Sequence, residues 1–174
     1  MTKSKKLALC GMLGALMIVI MLLGSLFPMA TYCYPAIAGF LLIPVARECG
    51  GHSAATLYIA TSLLSLMLIP DKEGALLFLF LFGLYPLIKP YVQKIHLRSI
   101  RIVVKLIFFD GMFFLAYLLL RVLFMPELSM FASQAMAIVF IVIGNITFLL
   151  YDFCLVQLSL IYEYRLRPKL HFRN

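Results

Sequence analysis

The chain has 174 residues, of which 64% are hydrophobic and 13% charged, with a mean hydropathy of +1.07. A water-soluble domain carries about 45–50% apolar and about 25% charged residues, so this composition excludes a soluble globular domain and a disordered chain. The net charge of +8 would suit a nucleic acid, but the basic residues sit at the ends of apolar runs. There they set topology and meet anionic lipids at the cytoplasmic face, so no nucleic-acid partner is expected. No polar stretch is long enough for a large extramembrane catalytic domain, and the class read from composition is an all-α integral membrane protein.

A helix needs about 20 apolar residues to cross the roughly 30 Å hydrocarbon layer. The first run, 7–27, has no charge and follows Lys3, Lys5 and Lys6. It starts like a signal peptide, but it is too long for one and no convincing cleavage site follows, so it reads as the first span. The second span, 31–46, contains Pro35 and Pro44 and should be kinked or partly unwound, because proline removes a backbone donor. A polar turn over 47–52 leads to the third span, 53–69, which ends at Pro70-Asp71-Lys72-Glu73. The fourth span, 74–88, is followed by the most basic connection, 89–105, long enough for a short amphipathic surface helix. Spans five and six cover 106–125 and 135–161, joined by a loop over 126–134, and the tail from 162 is basic.

With both termini cytoplasmic, thirteen of the fifteen Lys and Arg residues fall on the inner side, and only Lys72 and Arg121 on the outer. The positive-inside rule asks for this asymmetry. The expectation is therefore a single compact bundle of six transmembrane helices over 1–174. Tyr34-Pro35 and Tyr85-Pro86 recur on spans two and four, too little to establish an internal repeat. The four cysteines, at 10, 33, 49 and 154, form no CxxC pair, and no histidine stands at metal-ligand spacing. Neither a structural disulfide, nor a metal, nor a cofactor is expected.

Ionisable groups at bilayer depth cost roughly 2.5–3.5 kcal/mol on insertion scales and usually face a partner or water. Spans five and six carry three: Asp110, Arg121 and Asp152. Asp110, Phe114, Tyr117 and Arg121 follow helical steps of four, three and four and share one face, and Asn145 and Asp152 share another. In the predicted topology an inner layer holds Asp110, Asp152, Tyr151 and Tyr85, with Asn145 at mid-membrane. An outer layer holds Arg121, Tyr117, Glu127, the Asp71-Lys72-Glu73 turn, Tyr32 and Tyr34.

Two readings stay open for each layer. The outer one is either a ligand pocket with aromatic walls and a few orienting charges, or a set of snorkelling and solvated groups. Asp110 and Asp152 are either an aspartyl dyad or proton relay, or bundle-locking groups, with Asp110 pairing with Lys105 or Arg101. Asn145 is either a ligand contact or an interhelical hydrogen bond. Gly11 and Ala15 give the first helix small-xxx-small spacing, which admits close approach of a neighbouring helix or of a separate subunit. No P-loop, HExxH or GxSxG sequence is present, so no catalytic motif is assigned.

The short chain, the six predicted spans, the opening Lys6-Leu7-Ala8-Leu9-Cys10-Gly11-Met12-Leu13-Gly14-Ala15, and Pro28 with Tyr34-Pro35-Ala36-Ile37-Ala38-Gly39 carry a likeness. In these features the chain resembles the substrate-binding S components of energy-coupling factor (ECF) vitamin transporters. The resemblance implies that a small vitamin-like solute or a metal ion is bound near the outer surface by the outer loops and the last three helices. It also implies a membrane coupling subunit and partner ATPases, which drive transport by toppling the S component. An Ala-xxx-Ala element on helix one docks the coupling subunit in that family, and Gly11 and Ala15 stand in for it here.

On this reading the protein is not an enzyme, and it captures a small solute. Arg121 with Tyr117 meets an anionic or carbonyl group of the ligand, Asn145, Tyr32 and Tyr34 add contacts, and Glu127 with Asp71, Lys72 and Glu73 controls access. Two alternatives remain: a non-catalytic membrane scaffold for envelope assembly, and an intramembrane aspartyl hydrolase using Asp110 and Asp152.

Overall fold

A computed structural model describes residues 3–27, 31–93, 97–124 and 134–166. Pro28, Lys94, Glu127, Arg167, Lys169 and Arg173 lie outside the described residues. Among those described, every regular element is a helix: α1 (Lys3–Gly24), α2 (Cys33–Phe40), α3 (Leu42–Glu48), α4 (Gly51–Leu68), α5 (Lys72–Leu77), α6 (Leu84–Val92), α7 (Arg98–Leu123) and α8 (Gln134–Ile161). A π-helical turn, Phe78–Phe82, joins α5 to α6, and another, Tyr162–Leu166, extends α8.

Five helical stretches are long and apolar enough to cross a membrane: Ser4–Gly24, Gly51–Leu68, Lys72–Val92, Ser99–Leu123 and Ile141–Arg165. They overlap the first, third, fourth, fifth and sixth predicted spans. Their large apolar residues stay exposed on the outward faces, as at Leu7, Met67, Val122 and Phe153. In water such faces would be an aggregation liability, but against lipid tails they carry no penalty.

The second predicted span is broken. α2 has eight residues and α3 seven, separated by Leu41, and neither alone reaches across a bilayer. Pro44 accounts for the position of the break: it has no N–H to offer the carbonyl of Phe40, four residues earlier. Leu41 donates instead to Ala38 at 3.1 Å in a tighter turn. Pro35 does no such damage, because it sits in the first turn of α2, where the N–H has no intrahelical acceptor.

Lys72–Val92 is the axis of the fold, with more than half of its residues buried, against about a fifth in each of the other four stretches. It is also the least regular. In its π-helical turn Gly83 donates to Phe78 at 2.8 Å, bypassing the carbonyl of Leu79. Pro86 likewise has no N–H for the carbonyl of Phe82. Two tyrosines from neighbouring helices supply the missing donors: Tyr58 of α4 donates to the Leu79 carbonyl, and Tyr151 of α8 to the Phe82 carbonyl at 2.8 Å. Gly39 lets α2 lie against this junction, since a Cβ there would come within 2.3 Å of the Phe82 oxygen and 2.7 Å of the Tyr151 hydroxyl.

The basic stretch 89–105 differs from its expectation of a linker bearing a surface helix. α6 runs on to Val92 and α7 begins at Arg98, so only 93–97 separates two long helices. Lys89 and Lys105 are buried, at 8% and 9% exposure, because both turn to the same carboxylate inside the bundle.

Gly39→Val overpacks a backbone contact, which typically costs about 1–3 kcal/mol, whereas Tyr151→Phe removes one hydrogen bond, about 0.6 kcal/mol on average in membranes. In detergent, the thermal unfolding midpoint should fall further for Gly39→Val than for Tyr151→Phe.

Candidate functional site

Polar side chains gather at opposite ends of the axis helix. At its start, Asp71 caps α5: Oδ1 accepts from the backbone N–H groups of Glu73 (3.1 Å) and Gly74 (3.3 Å). Oδ2 accepts from the hydroxyl of buried Tyr34 at 2.6 Å, and Tyr32 donates to Glu73 Oε1 at 2.9 Å. Gly74 makes room for this arrangement, since a Cβ there would overlap the Tyr34 hydroxyl at 1.8 Å. Lys72 turns the other way, donating to the carbonyls of Leu66 (2.8 Å) and Ile69 (2.9 Å) and so closing the end of α4; its ammonium lies 6.0 Å from the Phe124 ring.

The structure thus brings together Tyr32, Tyr34, Asp71 and Glu73 from segments about forty residues apart. Tyr117 joins them, lining a cleft with Glu73, Leu76, Phe113 and Leu120. That cleft measures only about 20 Å³, room for one water. Arg121 lies one turn further along α7 and is exposed. Glu127 falls outside the described residues.

Asn145 is placed elsewhere. Its Nδ2 donates to Asp110 Oδ1 and to the Ile141 carbonyl, both at 2.9 Å, linking α8 to α7, while its buried Oδ1 has no partner. Asp110 therefore does not pair with Lys105 or Arg101, as expected for a bundle-locking group at the interface, because Lys105 is taken by Asp152.

The opposite end holds the densest electrostatic arrangement. Asp152 of α8 accepts from Lys105 of α7 at 2.5 Å, from Lys89 of α6 at 2.7 Å and from the Tyr85 hydroxyl at 2.6 Å. Lys89 also donates to the backbone carbonyl of Asp152 at 2.7 Å. Tyr85 packs edge-on against Phe148, with centroids 4.7 Å apart, which shields the cluster on one side. One carboxylate serves two ammonium groups, so the cluster keeps one positive charge. Asp110 and Asp152 have separate partners, one neutral and the other doubly cationic, and they do not form a pair sharing a proton. Sequence reasoning placed Tyr85 and Asp152 in one layer but missed the two lysines. The available signal was spacing: Lys89 stands four residues after Tyr85, and Lys105 four before Phe109, on the same helix faces.

Beside this cluster, α3, α4, α6 and α8 enclose a half-open cavity of about 740 Å³. Ile43, Leu87 and Leu155 line its apolar part and Arg47, Lys89, Gln93, Ser159 and Glu163 its polar part. Arg47 donates to Ser159 at 3.0 Å and lies 3.7 Å from Glu163. On the first helix, Ala15 is exposed, and a Cβ on Gly11 would meet nothing within 4 Å, so this stretch of α1 faces outward. Among the described residues, no group of three or more His, Cys, Asp or Glu could hold a metal ion.

These features define the class as an all-helical protein with five helices suited to crossing a membrane and ionisable groups buried between them. No family model, no curated protein and no solved structure matches the chain.

Removing one member of a buried ion pair typically costs about 3–5 kcal/mol, because the remaining charge is stranded. Asp152→Asn strands two ammonium groups, whereas Lys105→Met leaves the Lys89–Asp152 pair in place. Thermal unfolding of the detergent-solubilised protein should show a markedly larger loss for Asp152→Asn, and equal losses would mean that the two lysines do not share the carboxylate.

Proposed function

We propose that this protein is a multi-pass membrane subunit that captures a small solute for uptake, resembling the S components of ECF transporters. On this reading six membrane crossings place both termini in the cytoplasm and the α5 start at the outer face of the plasma membrane. The observation that carries the proposal is the meeting of Tyr32, Tyr34, Asp71 and Glu73 at one end of the bundle, beside Tyr117. Phenols and carboxylates converging on a helix start are the few orienting groups a small-molecule site needs.

The capture site is shut in this arrangement. An incoming solute takes over the hydrogen bonds that Tyr32 and Tyr34 now give to Glu73 and Asp71, so their loss is repaid on binding. Tyr32–Glu73 is the exposed pair and opens first, and exposed Arg121, one turn beyond Tyr117, meets an anionic or carbonyl group of the solute. Lys72 keeps its structural duty at the end of α4. Gly11 and Ala15, on the outward face of α1, dock a membrane coupling subunit whose ATPases supply the energy.

Binding of vitamins, nucleobases and amino acids to purified protein, read as a thermal shift, tests this directly. One such solute should stabilise the wild type, and Tyr34→Phe or Glu73→Gln should weaken its binding about tenfold, the loss of one charge-assisted hydrogen bond. Arg121→Ala should weaken binding more than Lys94→Ala. No shift with any solute would sink the proposal. Ala15→Leu should reduce co-purification of ATPase partners from native membranes while solute binding is kept.

A further inference from the structure

We propose that the cavity between α3, α4, α6 and α8 is a binding site for one anionic phospholipid. It lies at the far end of the axis helix from the capture site proposed above and shares no residue with it. Three observations converge on the occupant.

The first is charge. Lys89 lines the cavity and belongs to a cluster in which two ammonium groups share the single carboxylate of Asp152. Among the described residues no other acid forms an ion pair with Lys89 or Lys105, so the cluster carries a net positive charge in a poorly hydrated place. Arg47 lines the same cavity, held by Ser159 and offset in charge by Glu163, which lines it too at 3.7 Å from Arg47, so the excess positive charge comes from the lysine cluster. An anion placed here gains both charge neutralisation and hydrogen bonds, which are stronger where water is scarce.

The second is shape and polarity. A volume of about 740 Å³ lies within the range of roughly 300–1,000 Å³ typical of sites for drug-sized ligands and far exceeds what a bare phosphate fills. Ile43, Leu87 and Leu155 give the remaining wall an aliphatic surface, which suits a hydrocarbon body and not a free ion. The third is backbone irregularity. Pro86 and Pro90 both line the cavity, and Pro90 has no N–H for the Pro86 carbonyl, so α6 cannot close this wall with a regular helical surface. An acidic headgroup on the lysine side, with its glycerol and upper acyl carbons along the aliphatic wall, satisfies all three.

Full-length protein, delipidated in detergent, would be titrated with phosphatidylglycerol and with phosphatidylcholine of the same acyl chains, and bound lipid counted by native mass spectrometry. One phosphatidylglycerol per chain should bind at least about fivefold more tightly than phosphatidylcholine, the preference one or two nearby cations provide. Ala46→Phe and Ala55→Phe fill the cavity without touching the ion cluster, and either should bring the two lipids to within about twofold of each other. Lys89→Gln should do the same if it folds, and the two alanine variants decide the matter if it does not. Equal binding of the two lipids by the wild type overturns the proposal, as does an undiminished preference in both filled variants. Displacement of the lipid by glycerol phosphate at similar concentration also overturns it, since that would make the cavity a site for the bare anion.

Discussion

The fold depends on keeping an irregular backbone satisfied where water is absent. The helix from Lys72 to Val92 is the most buried of the five long stretches, and it is the one that departs most from ideal geometry. A regular helix in lipid satisfies its own carbonyls, but this one bypasses Leu79 with a π-helical turn and loses a donor at Pro86. Tyr58 and Tyr151 repair both positions from outside. Each repair requires its helix at a fixed height beside the axis, so hydrogen bonds that seem local set the arrangement of α4 and α8. Gly39 follows from the same constraint: the repaired carbonyl occupies the space a side chain on α2 would need.

The ion cluster at Asp152 does comparable work for α6, α7 and α8. Burying charge is costly even when paired, and a buried ion pair is weak evidence of stability by itself. Its consequence here is specificity of register. Lys89, Lys105 and Asp152 meet only if the three helices hold one relative height and rotation, and any slip leaves a charge without its partner. That explains why Lys89 and Lys105, at the two ends of a basic stretch suited to the membrane surface, turn into the bundle.

The two ends of the axis differ in character. At the α5 start, carboxylates accept from backbone amides and tyrosine hydroxyls, and the cleft beside them is almost closed. At the α6 end, cations outnumber carboxylates and the helices part around a large half-open cavity. The molecule thus has one tight polar end and one open cationic end.

Much was legible in the sequence because the bilayer imposes simple length and hydropathy rules. Five of the six predicted apolar runs recur as long helices, and the break in the remaining one falls where Pro44 lacks an N–H. The order and direction of the predicted spans also grouped Tyr32, Tyr34 and the Asp71–Glu73 turn in one layer, and Tyr85 with Asp152 in the other. Which groups touch was decided only by tertiary structure. Spacing reports the face of a single helix, but partner choice depends on the height and rotation of its neighbours. That is why Asp110 meets Asn145 and not a lysine, why Lys89 and Lys105 leave the surface, and why the cavity opens beside them and not beneath Arg121. Hydropathy determines where the chain lies, and the need to satisfy buried charges and carbonyls determines how its helices meet.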